Sequence, residues 1–114
     1  MATSIVDNAR LRVSSVLNRD TKQFGKQFLI DRKEDTCWNS DQGSPQWIQV
    51  DLSEPAMIEE VHIRFQGGFA GKESFLEGSE KSGQEYVRLT DIFPEDSNSL
   101  QISSFFLTQY YFKI

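Results

Sequence analysis

The runs Trp47-Ile48-Gln49-Val50-Asp51-Leu52 and Val61-His62-Ile63-Arg64-Phe65 alternate apolar and polar side chains almost residue by residue. That period sends every second side chain to the same face, so each run reads as a strand with one covered face and one polar face. Trp47, Gln49 and Asp51 share one face, and Ile48, Val50 and Leu52 the other. The second strand extends over residues 57–65, and Ser53-Glu54-Pro55 supplies a turn between the two. The pair is therefore expected to be antiparallel neighbours.

Four further strands are expected over residues 10–17, 75–79, 86–92 and 100–107. A short helix over 22–29 is suggested by Phe24 and Phe28 at i, i+4 spacing, although Gly25 weakens it. Pro94-Glu95-Asp96-Ser97-Asn98-Ser99 is a turn by composition. Six strands and one short helix point to an all-β fold, an antiparallel β-sandwich. Both tryptophans, Trp38 and Trp47, fall within ten residues beside a polar loop, which describes a sandwich rim. They are read as structural anchors of the core. Residues 102–114 carry five aromatics, either as a covering terminal strand or as a tail without partners.

At 114 residues the chain is expected to be one domain with a two-layer core. Its net charge of −5 is uneven: residues 1–33 hold seven Lys/Arg against three Asp/Glu, and the remainder five against fourteen. The acidic bulk argues against sequence-independent binding to a phosphate backbone, so no direct nucleic-acid contact is expected. The basic end, with Arg10, Arg12, Arg19, Lys22 and Lys26, reads as a solvated face or a contact for an acidic partner. Cys37 is the only cysteine, which rules out an internal disulfide. No apolar run approaches the length of a membrane span, so no membrane association is expected.

Catalytic signals are weak. His62 is the only histidine and alternation turns it outward, opposite Val61 and Ile63. No phosphate-cradling loop, dinucleotide fingerprint or zinc spacing is present, so the chain is read as a non-enzyme without a cofactor. Asp31, Asp35 and Thr36 are weak calcium candidates, but Arg32 and Lys33 inside the same loop oppose a cation. The competing reading is a loop closed by Asx-type and threonine hydrogen bonds. Phe69, in a glycine-rich loop where no periodicity buries it, is the preferred contact residue.

The run Ile30-Asp31-Arg32-Lys33-Glu34-Asp35-Thr36-Cys37-Trp38, followed by Ser40 and by Pro45-Gln46-Trp47-Ile48-Gln49-Val50-Asp51-Leu52, resembles the discoidin, or coagulation-factor type C, family. Its members share the galactose-binding-like jelly roll. Within it, Val13-Ser14-Ser15-Val16-Leu17-Asn18, Phe65-Gln66-Gly67-Gly68-Phe69 and Leu76-Glu77-Gly78-Ser79 resemble a small intracellular group associated with nuclear receptors. That resemblance implies a nuclear setting, with the cytoplasm left open, and a nuclear receptor as protein partner. It also implies repression of transcription by hindering the receptor at its DNA response element, and a glycan or other small ligand is not expected.

The resemblance fades after about Gln101, so the jelly roll is expected to be incomplete, as in a shortened or alternatively spliced product. The expected layout is a flexible N-terminus over 1–9, a sandwich over 10–107 and an aromatic tail over 108–114. Contact residues are placed on loops at one end: Asn39, Asp41, Gln42, Arg64, Gln66, Phe69 and Lys72. The alternative function is a carbohydrate-binding module of the discoidin-like type, which needs an aromatic platform beside fixed hydrogen-bonding groups.

Overall fold

The computed structural model describes residues 9–33, 35–53, 56–66, 73–79, 85–104 and 111–114. The chain divides into two compact units, Met1–Asp51 and Leu52–Ile114.

In the first unit, β1 (Arg10–Val13) and β2 (Ile48–Asp51) form an antiparallel ladder. The register places Leu11 opposite Val50 and Val13 opposite Ile48. Leu11 and Val50 are both buried, as the alternation requires. On the opposite face Arg12 stands across from Gln49, and its Nε donates to Asp51 Oδ2 at 2.7 Å.

Between these strands the expected helix over 22–29 is two short turns. Asp20 caps the first, α1 (Thr21–Phe24), by accepting from the Gln23 N–H at 3.2 Å. Gly25 is extended at φ −75° and ψ 173°, which ends the helix. A β-carbon at this buried position would lie 2.5 Å from the Thr21 carbonyl oxygen, so only glycine lets the chain pass so close. A 3₁₀ turn, Lys26–Phe28, follows.

In the second unit, β3 (Glu60–Arg64) pairs antiparallel with β6 (Leu100–Ser104). A separate ladder sets β4 (Ser74–Ser79) between β5 (Val87–Ile92) and β7 (Tyr111–Lys113). Thus β2 pairs with β1 and β3 with β6, in place of the expected β2–β3 neighbour pair. The connection between β2 and β3 is longer than the two to five residues of a typical hairpin loop, so nothing local enforces that pairing.

The core of this unit is Leu76 and Ile92, packed against Leu52, Ala56, Ile58, Val61, Ile63, Leu89 and Ile114. Along β3, Val61 and Ile63 are half-buried, while Glu60, His62 and Arg64 are exposed. A register shift between Leu76 and Glu77 bulges β4 against β5. Arg88 on β5 lies 4.4 Å from the centre of the Phe75 ring, and its guanidinium also binds the Asp91 carboxylate. Tyr111–Lys113, in the segment expected to be a tail, form β7 on β4.

Burial pushes the Asp51 carboxyl up. Hydrogen bonds from Gln49 and Arg12, with the charges of Arg12 and Arg10, outweigh it and hold the group below its ordinary 3.8. A carboxylate held low in the folded state adds stability above its ordinary value and loses it as pH falls through the lowered one. Asp51→Asn is therefore expected to cost about 0.5 to 1 kcal/mol at pH 7, given the half-exposed arginine. Urea midpoints of wild type and variant should converge as pH falls through the lowered range of the carboxyl. A gap that is constant with pH would show that the charge is not the cause.

Candidate functional site

Where β1 and β2 end, their last backbone groups must find partners outside the ladder. Ser14 and Trp47 continue it by two bonds: the Ser14 N–H donates to the Trp47 carbonyl at 3.0 Å, and the Trp47 N–H donates to Ser14 Oγ at 2.9 Å. The Ser14 and Ser15 hydroxyls both donate to Gln46 Oε1, at 2.6 and 2.8 Å. Gln46 Nε2 in turn donates to the Asp41 and Gly43 carbonyls, each at 3.2 Å. Gly43 sits at φ +101°, a conformation that favours glycine in this turn.

Trp38 joins the network by donating its Nε1–H to the Ser15 carbonyl at 2.8 Å. Asp41 accepts the Asn18 N–H at 3.2 Å, where Asn18 and Arg19 are both left-handed, at φ 54° and 57°. Two successive non-glycine residues in that region are held only by such outside contacts. Trp38 and Trp47 are half-buried in this rim.

Of the sequence-derived contact residues, the rim absorbs two. The Asn39 backbone bonds Phe24 and Leu17, and its side chain reaches Cys37 Sγ at 3.3 Å. Asp41 is spent on Asn18, whereas Gln42 is exposed. Arg64 and Gln66 are exposed in the second unit, and Phe69 and Lys72 lie outside the described residues. His62 is exposed, with its Nε2 at 3.2 Å from Glu60 Oε1 on the same strand face.

The acidic loop closes on itself. Asp31 accepts the Lys33 N–H at 3.0 Å with one oxygen and the Thr36 hydroxyl with the other. The Thr36 bond first, and the Lys33 N–H next, hold the Asp31 carboxyl below its ordinary range. Asp35 is exposed and Arg32 takes a left-handed φ of 62°. Among the described residues no three His, Cys, Asp or Glu side chains are grouped as a metal site.

The feature that sequence reasoning missed is a cleft of roughly 360 Å³ in the first unit, lined by Arg12, Val13, Val16, Thr21, Lys26, Gln27 and Trp47. Register explains the pairing of Arg12 with Trp47. Arg12 stands opposite Gln49, and Trp47 is two residues from Gln49, on the same face. The helical turns bring Thr21, Lys26 and Gln27 over this face, and Gln27 Nε2 donates to the Thr21 carbonyl. The available signal was the basic bias of residues 1–33, which named Arg12 and Lys26 without showing that they meet.

A family model described as an F5/F8 type C, NedA-like, galactose-binding domain matches residues 28–105. The chain belongs to that family. It is 51% identical over 106 residues to the Nuclear receptor 2C2-associated protein of Xenopus laevis, spanning 92% of this chain and 77% of that one. The Danio rerio protein of the same name is 51% identical, over 89% and 72% of the two chains. The Homo sapiens one is 50% identical, over 79% and 64%. Among solved structures, CpGH89CBM32-5 from Clostridium perfringens superposes with a TM-score of 0.70 at 21% identity, over 94% of this chain and 81% of that one.

These matches establish an antiparallel all-β galactose-binding fold, the non-catalytic binding module expected from sequence. One expectation needs correction, namely a nuclear receptor as partner with no glycan ligand. The bacterial structure is a complex with GalNAc-β-1,3-galactose, so the same architecture does hold a glycan. A nuclear setting, which the resemblance implies, says nothing about what a sandwich of this shape can bind.

Gln46 is the hub of the rim. Gln46→Ala is expected to lower stability by about 1 kcal/mol, since it leaves two half-buried serine hydroxyls without their acceptor while the exposed Asp41 and Gly43 carbonyls turn to water. It should also flatten the near-UV tryptophan signal. Gln42→Ala should change neither. Denaturant midpoints and near-UV circular dichroism of the two variants provide the check.

Proposed function

We propose that the chain is a carbohydrate-binding module of the discoidin-like type and that the cleft around Trp47 is its site. The cleft itself is the observation that carries this reading: one aromatic ring beside several hydrogen-bonding side chains fixed by secondary structure. A sugar presents an apolar C–H face and a rim of hydroxyls, and such a site meets both. Trp47 with Val13 and Val16 provides the apolar wall. Arg12, Lys26, Gln27 and Thr21 provide the polar contacts. Support also comes from the glycan held by the structurally similar bacterial domain.

Titration with GalNAc-β-1,3-galactose is expected to give saturable one-to-one binding, with a Kd on the order of 10 µM to 1 mM. Intrinsic tryptophan fluorescence reads it. Trp47→Ala should abolish binding and Trp47→Phe weaken it several-fold, with the circular dichroism of Trp38 reporting that the fold persists. Folded protein that binds no glycan at millimolar concentration would sink the reading.

The relatives' shared name supports a second reading, about where the module acts and with what outcome: a nuclear setting and a part in repressing receptor-driven transcription. Expression beside a receptor-responsive reporter is expected to place the protein in the nucleus and lower the signal. An unchanged reporter with cytoplasmic protein is the contrary result.

A further inference from the structure

We infer that the cleft selects an acidic saccharide, one carrying a carboxylate or sulfate. The inference rests on the carbohydrate reading above and narrows it.

Two of the seven lining residues, Arg12 and Lys26, are cations, and none is an acid. Lys26 makes no ion pair among the described residues and is exposed, so its charge is available to a ligand. Arg12 is partly committed. Its Nε and one terminal nitrogen bind the two Asp51 oxygens at 2.7 and 3.3 Å. An arginine has five N–H donors in a rigid fork, so this clamp orients the guanidinium and leaves donors over.

Gln27 is held in the same way. One Nε2–H donates to the Thr21 carbonyl, which orients the amide and leaves Oε1 to accept from a sugar hydroxyl. The cleft thus offers an apolar wall, neutral hydrogen-bonding groups on Thr21 and Gln27, and cationic donors from Arg12 and Lys26. A neutral sugar offers the exposed Lys26 ammonium only hydroxyl acceptors in place of water, whereas an acidic group beside the ring would form a charge-assisted bond with it. The overall charge adds selectivity. The chain carries −5, so general attraction of anions is absent and recognition depends on this local patch.

The test compares methyl β-galactoside with its galacturonate and 6-sulfate forms, which differ only at C6. Binding is followed by amide and indole NMR shifts at Val13, Val16, Thr21 and Trp47. At low salt, at least one acidic sugar should bind about fivefold more tightly than the neutral one, and the advantage should shrink in 0.5 M salt. Lys26→Gln should bring the affinities for the acidic and neutral sugars together, and Lys26→Arg should keep them apart. Which acid wins distinguishes carboxylate from sulfate recognition. Equal affinities for all three sugars would overturn the inference and leave the carbohydrate reading standing. No binding of any sugar would overturn both. An acidic preference that survives Lys26→Gln would overturn the assignment of charge recognition to Lys26.

Discussion

The β1–β2 register is the constraint on which the first unit depends. Leu11 faces Val50 and Val13 faces Ile48, so the buried apolar side chains of this ladder come from one strand face. A slip of one residue would carry Arg10, Arg12 and Asp51 inward and expose Leu11 and Val50, which no nearby group could compensate. With the register set, Arg12 has to lie beside Asp51 and on the side of Trp47. The rim and the cleft both inherit their geometry from that pairing.

Beyond the ladder, the rim persists because its polar groups satisfy one another. Gln46 accepts from two serines and donates to two carbonyls, while the serine hydroxyls also accept from the Trp47 and Asp41 N–H groups. The left-handed pair Asn18-Arg19 would be unfavourable alone, and Asp41 holds one of its N–H groups. Asn39 and Asp41 maintain the loop, whereas the cleft is lined from the neighbouring strand and helical turns.

Much of the fold was legible in the chain. Strict alternation marked β3 and β2, with Val61 and Ile63 inward and His62 outward. A dense polar loop beside two tryptophans marked a rim held by its own side chains. The loop residues chosen as contacts were legible only by composition, which does not separate a polar group facing solvent from one already bonded. The cleft was invisible for a different reason. Its lining comes from β1, Val16, the helical turns and the residue preceding β2, and no short sequence window contains them all.

The sequence by itself determined the class of structure: alternation made strands, the single cysteine ruled out an internal disulfide, and Gly25 stopped the helix. Each is a property of one residue or of near neighbours. Tertiary structure alone decided which strands pair, since β3 finds β6 rather than β2 across a connection too long to dictate a hairpin. It also decided that Arg12, Lys26 and Trp47 share one cleft. Those choices follow from which apolar faces can be buried together, and that is settled only when distant segments meet.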